Sequence, residues 1–141
     1  SNLKLMKEKK YRALTNGEME VMNILWDNNR SLTINEMLDL FPDPKPAYTT
    51  IATFLKLIEA KGYVEHYKIP GQRRTFHFSP MLTREKYISL VLDEVKGSLF
   101  GNSAKKLFSF LVQTEELSED ELLELLQMVR LSSNADPATE Q

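Results

Sequence analysis

Tyr48, Thr49, Thr50, Thr53 and Lys56 lie close together in one helical segment, and Arg73-Arg74 follow a Pro70-Gly71-Gln72 turn. At about 100° per residue, Thr49, Ala52, Thr53 and Lys56 share one helix face, with Tyr48 and Thr50 at its N-terminal flanks. These residue types suit the reading of duplex DNA. The major groove admits one α-helix, and a helix lying that deep needs small outer residues whose methyls and hydroxyls meet base edges. Lys56 and the hydroxyls of Tyr48 and Thr50 suit phosphates, and Arg73 and Arg74 suit the backbone or minor groove. Thr33, at the start of the preceding helix, is counted with them as a DNA-contact candidate.

Catalytic constellations are absent. There is no Gly-rich phosphate loop, nucleophile elbow or paired-carboxylate motif. His66 and His77 fall on the two strands of a hairpin, but two histidines without cysteine or clustered carboxylates make a poor metal site; they are expected to face solvent. The expectation is therefore no enzyme, no cofactor and no metal.

The elements that position these residues follow from capping and periodicity. Thr15-x-x-Glu18 and Thr33-x-x-Glu36 are capping boxes that open two helices, the second with Ile34, Met37, Leu38 and Phe41 on one face. Pro42, Pro44 and Pro46 then impose an extended break. A third helix is expected over 47–62, with Ile51, Phe54, Leu55 and Ile58 inward and Gly62 as a left-handed cap. Strands are expected over 63–69 and 75–79, the second with Phe76 and Phe78 on one side and His77 on the other. Helices follow over 83–100, 103–113 and, from the Ser118-x-x-Glu121 box, 118–131.

The fold class is thus mostly α with a small β-hairpin: an N-terminal winged helix-turn-helix over 1–80 and a C-terminal three-helix dimerisation domain over 81–131. Residues 132–141 are polar and proline-containing and are expected to be a disordered tail. Ser1 and Asn2 are set aside as a cloning remnant.

Composition agrees with a globular protein. The 141 residues are 42% hydrophobic and 27% charged, which excludes wholesale disorder. The net charge of −2 hides a division. Residues 1–80 carry twelve Lys or Arg against nine Asp or Glu, and residues 81–141 carry six against eleven. The basic half is the one expected to meet a polyanion. No apolar run reaches the roughly eighteen residues of a membrane span, so no membrane insertion is expected. Cysteine is absent, which removes disulfides and thiolate chemistry and fits a reducing cytoplasm, the expected location.

The run Leu14-Thr15-x-x-Glu18-x-x-Val21-Met22-x-x-Leu25-Trp26, followed by Ala47-Tyr48-Thr49-Thr50-Ile51-x-Thr53-x-Leu55-x-x-Ile58-x-x-Lys61-Gly62, resembles the BlaI/MecI/CopY family of penicillinase, methicillin-resistance and copper-responsive repressors. The resemblance covers about residues 12–131. It implies a transcriptional repressor with a winged-helix DNA-binding domain and a helical dimerisation domain, acting on a short dyad operator. It carries the DNA-contact role onto Tyr48, Thr49, Thr50 and Thr53 and places the wing at the 71–74 tip. Two departures matter. The stretch Leu107-Phe108-Ser109-Phe110-Leu111-Val112 lacks the Asn-Phe bond cleaved in the penicillinase branch, so a membrane sensor protease of different specificity stays an open partner. The copper branch's cysteine motif is absent, which excludes copper sensing through it and leaves the stimulus open.

The last helix is apolar around much of its circumference, more than two neighbouring helices can cover. A two-fold contact with a second copy covers it economically. The expected interface is Tyr87, Val91, Val95, Leu99, Leu122, Leu125, Leu126 and Val129. Weakening that dimer would release the operator without touching the recognition helix. The alternative is a winged-helix scaffold that binds proteins and has no specific affinity for DNA.

Overall fold

The computed structural model describes residues 10–72 and 74–139, with side chains described to residue 133. The order is α1 (Asn16–Asn28), α2 (Ile34–Leu40), α3 (Tyr48–Ala60), β1 (Val64–Lys68), β2 (Phe76–Pro80), α4 (Arg84–Leu99), α5 (Ala104–Thr114) and α6 (Glu119–Thr139). The chain divides into two compact units, with the boundary along the sequence between Glu94 and Val95.

In the first unit the expected caps form. The Thr15 hydroxyl accepts from Glu18 N at 3.3 Å, and the Glu18 carboxylate accepts from Thr15 N at 2.8 Å. Each satisfies an N–H that the first helical turn leaves without a partner. Glu18 is buried, and its Oε1 also accepts from Lys61 Nζ at 2.6 Å. Burial pushes the Glu18 carboxyl up, but the Lys61 bond and the two Thr15 contacts outweigh it, and the net shift is downward.

The end of α2 is held from outside. Lys45 Nζ donates to the carbonyls of Leu38 and Phe41, both at 2.8 Å. At the end of α3, Gly62 N donates to Glu59 O and Tyr63 N to Ile58 O, a Schellman closure with Gly62 at φ 82°. The core of this unit joins Val21, Met22 and Leu25 of α1, Met37 of α2, and Ile51, Leu55 and Ile58 of α3. Phe54 is only partly buried and lies over the start of α1. A Cβ on Gly17 would stand 2.3 Å from its Cζ, so that close approach depends on glycine.

The hairpin pairs antiparallel, with Val64 opposite Pro80 and Lys68 opposite Phe76. A bridge joins it to the turn before α2: Leu32 N donates to Phe78 O at 3.0 Å and Phe78 N to Leu32 O at 2.9 Å. The wing is thereby fixed to the helix-turn-helix through the backbone.

Two sequence expectations need correction. The 132–141 tail is helical to Thr139, as part of α6, and residues 140 and 141 lie outside the described residues. Polar composition signals little burial, but a helix satisfies its own backbone and can outrun its apolar face. Tyr87 was expected at an interface with a second copy, yet it is 4% exposed in the core of the first unit. Its ring packs near those of Tyr11, Trp26 and Tyr63, and its hydroxyl accepts from Leu14 N at 3.1 Å. Helical periodicity identifies an apolar stripe but not the element that covers it. Tyr63 acts in parallel, its hydroxyl accepting from Arg12 N at 2.6 Å. Burial pushes both phenols up, against the backbone N–H that each receives.

Candidate nucleic-acid interface

The helix-turn-helix is α2, the 41–47 connection and α3. Ile51, Leu55 and Ile58 anchor one face of α3 in the core, which leaves Tyr48, Thr49, Thr50, Thr53 and Lys56 exposed on the rest of its surface. The side chains of Tyr48, Thr49, Thr50 and Lys56 make no hydrogen bond or ion pair among the described residues. Thr53 differs. Its hydroxyl donates to Thr49 O at 2.9 Å, so its methyl and the hydroxyl's acceptor lone pairs, but not its proton, are left for a partner.

Thr33 is the N-cap of α2. Its hydroxyl accepts from Glu36 N at 3.1 Å, and its own N–H goes to Glu36 Oε1 at 2.9 Å. Only the hydroxyl proton is left to donate outward. Glu36 Oε2 pairs with Arg30 at 2.9 Å. The Thr33 N–H, and after it the Arg30 guanidinium, hold the Glu36 carboxyl down at about 2. A depressed carboxyl stabilises the fold in its ionised form. That contribution is full above about pH 4.5, the ordinary value, and is lost as pH falls through about 2. Urea midpoints measured from about pH 6 to 2 should therefore fall less steeply for Glu36→Gln than for the unsubstituted chain, the two converging at the acid end.

On the wing, Arg74 is exposed beside Gly71 at φ 90°, and Arg73 lies outside the described residues. Lys68, not singled out from the sequence, sits on β1 with its ammonium 5.0 Å from the Phe76 ring. Its signal was available: a cation at the strand end that leads into a Pro-Gly turn.

The histidines need a correction. His66 pairs with Phe78 and His77 with Tyr67, so the two point to opposite sheet faces and cannot share a ligand. His66 is exposed, as expected, with Nδ1 2.5 Å from Glu59 Oε1. His77 is 8% exposed; it stacks on Tyr67 and bonds Gln72 Oε1 at 3.0 Å. The cross-strand ring and the folded-back turn cover a position that alternation alone assigns to solvent.

In the second unit the remaining interface candidates divide by exposure. Leu99 is 73% exposed and Val129 63%, and Leu125 and Leu126 are also exposed. Val95 and Leu122 are partly buried. Val91, on the first unit's part of α4, is partly buried against that unit's core. Leu123, Met128, Leu131 and Phe108 are exposed as well and were not on the expected set. Among the described residues no helix is long and apolar enough to cross a membrane.

A helix-turn-helix backed by a bridged hairpin, with uncommitted small polar side chains on its second helix, defines a winged helix-turn-helix protein. The sequence places it more narrowly. The chain belongs to the penicillinase repressor family, whose model matches residues 14–130, and this is a family of transcriptional repressors rather than enzymes. The penicillinase repressor of Bacillus licheniformis is 24% identical over 127 residues, which cover 89% of this chain and 96% of that protein. Among solved structures, a MepR mutant from a multidrug-resistant S. aureus clinical isolate aligns at 19% identity and a TM-score of 0.43, over 95% of this chain and 85% of that one. MarR aligns at 19% identity and a TM-score of 0.40, over 90% and 76%.

Proposed function

We propose that this repressor works in the cytoplasm as a homodimer on a short two-fold symmetric DNA operator, with α3 of each copy in the major groove. The observation that carries the reading is the α3 surface, where small hydroxyl-bearing side chains stand exposed and uncommitted on a helix anchored from behind. Thr49 and the Thr53 methyl would meet base edges. Tyr48, Thr50, Thr33 and Lys56 would meet phosphates, and Arg73 and Arg74 would follow the backbone or minor groove beside the wing.

One module of this kind has a non-specific affinity of only about 10⁻⁴–10⁻⁶ M. Pairing through α5, α6 and the end of α4 supplies the second reading head, and the exposed Leu99, Leu125, Leu126 and Val129 support that assignment. Burying each such side chain contributes about 1.5–3 kcal/mol before association costs. Release then follows from weakening the C-terminal dimer, for instance by a membrane sensor protease cutting within α5.

Lys56→Ala and Thr49→Ala test the DNA face. Lys56→Ala should weaken binding to every duplex alike and reduce the slope of log affinity against log salt by about one. Thr49→Ala should change which sequences are preferred. If neither substitution moves a salt-dependent affinity, the winged helix is a protein-binding scaffold instead.

A further inference from the structure

Resting on the DNA-binding reading above, we propose that Lys45 is a positioning residue for the recognition helix. Its ammonium closes the end of α2, sets where the first turn of α3 stands, and does not serve the DNA as a phosphate contact. A cation three residues before Tyr48 would ordinarily be counted among the phosphate contacts. Its bonds show a different commitment. Nζ donates to Leu38 O and to Phe41 O, both at 2.8 Å, which uses two of the three hydrogens an ammonium has to give.

The connection between the helices explains why such a donor is needed. The last carbonyls of an α-helix have no partner within it, and backbone N–H groups just beyond its end usually supply one. Here Pro42, Pro44 and Pro46 have no N–H to give. Among the described residues, no backbone N–H after Phe41 returns to α2. Phe41 N itself is shared between Met37 O at 3.2 Å and Leu38 O at 3.3 Å, both long bonds. The Lys45 side chain supplies the donors that this proline-rich segment lacks.

The first turn of α3 depends on that closure because little else holds it. Its N-cap is Ala47, which makes no side-chain cap, whereas α1 and α2 each begin with a complete capping box. The buried residues of α3 begin only at Ile51. Tyr48, Thr49 and Thr50 therefore stand exposed ahead of the first core anchor. Only Pro46 and Ala47 separate them from the tethered Lys45, and proline fixes its own φ. The placement of the reading end is thus passed from α2 through Lys45 to Tyr48.

The full chain would be compared with Lys45→Met, which keeps a long stem and loses the donors, and with Lys45→Arg, which keeps charge and donors. The probes are the duplex that the unsubstituted chain enriches most from a random pool and a scrambled duplex of the same composition. Lys45→Met should lower the preference for the enriched duplex about tenfold. The slope of log affinity against log salt should stay unchanged, and Lys45→Arg should restore most of the preference. Amide hydrogen exchange, read without DNA, should be severalfold faster in Lys45→Met at Thr50 and Ile51, whose N–H groups go to Ala47 O. It should be unchanged at Leu55 and Ile58. A slope reduced by about one, with every duplex weakened alike, makes Lys45 a phosphate contact and overturns the proposal. So does unchanged exchange at Thr50 and Ile51, whatever the affinities. If the unsubstituted chain enriches no duplex, the DNA reading fails and the proposal with it. A preference equally strong in Lys45→Met leaves that reading intact and overturns the role of Lys45 alone.

Discussion

Tyr87→Ala is expected to destabilise the winged-helix unit by about 3–5 kcal/mol, the range for removing a buried aromatic side chain. The loss has three sources. The ring leaves a cavity among Tyr11, Trp26 and Tyr63. Leu14 N loses its acceptor, and an N–H stranded in a partly buried site costs about 1–3 kcal/mol. The segment before α1, which Tyr87 and Tyr63 hold by its backbone, then frays from the core. Tyr87→Phe separates these contributions: it keeps the packing, removes the acceptor and should cost about 1 kcal/mol. Urea unfolding followed by Trp26 fluorescence measures both, and a Tyr87→Ala cost below about 1 kcal/mol would show that α4 is not part of this core. The same geometry governs truncation. A chain ending after Ser79 lacks Leu82 and Tyr87 and should not hold the winged helix, whereas one ending at Glu94 retains both.

Leu125→Glu combined with Leu126→Glu is expected to lower operator affinity by about 10²–10⁴ while leaving the unfolding of the first unit unchanged. Both side chains are exposed in one copy, so the substitution removes little intramolecular packing. In a two-fold contact it places four carboxylates in a desolvated apolar surface, and charge there is strongly disfavoured. Sedimentation should show a monomer, and each winged helix should then bind DNA with the affinity of a single module. Unchanged operator affinity in a protein that sediments as a monomer would separate DNA binding from dimerisation and remove the proposed basis of release.

The sequence was most legible where local chemistry decides the outcome. Thr15 with Glu18 and Thr33 with Glu36 announce their helices because a capping box is complete within four residues. Gly62 likewise ends α3 through bonds made inside its own turn. The α3 surface was legible because Ile51, Leu55 and Ile58 define the inward face and hence the outward one.

What was not legible depends on residues distant in the chain. Tyr87 lies on an apolar stripe of α4 whose periodicity is the same whether Trp26, Tyr63 or a second copy covers it. His77 is buried by Tyr67 and Gln72, which alternation along β2 does not register. Arg84 looks like any first-turn arginine until Asn23, Asp27 and Trp26, from a helix more than fifty residues away, fix its guanidinium. The Glu36 carboxyl was expected to cap, but its further ion pair with Arg30 comes from the turn that brings residues 30 and 36 together.

Selection from a random duplex pool, at about 50 and 200 mM salt, would show whether the dimer reads a specific operator. A two-fold symmetric motif with half-sites one or more helical turns apart should be recovered, with an affinity that falls steeply between the two salt concentrations. Enrichment of no motif above background, or of a single asymmetric half-site, would contradict a dimeric operator-binding repressor.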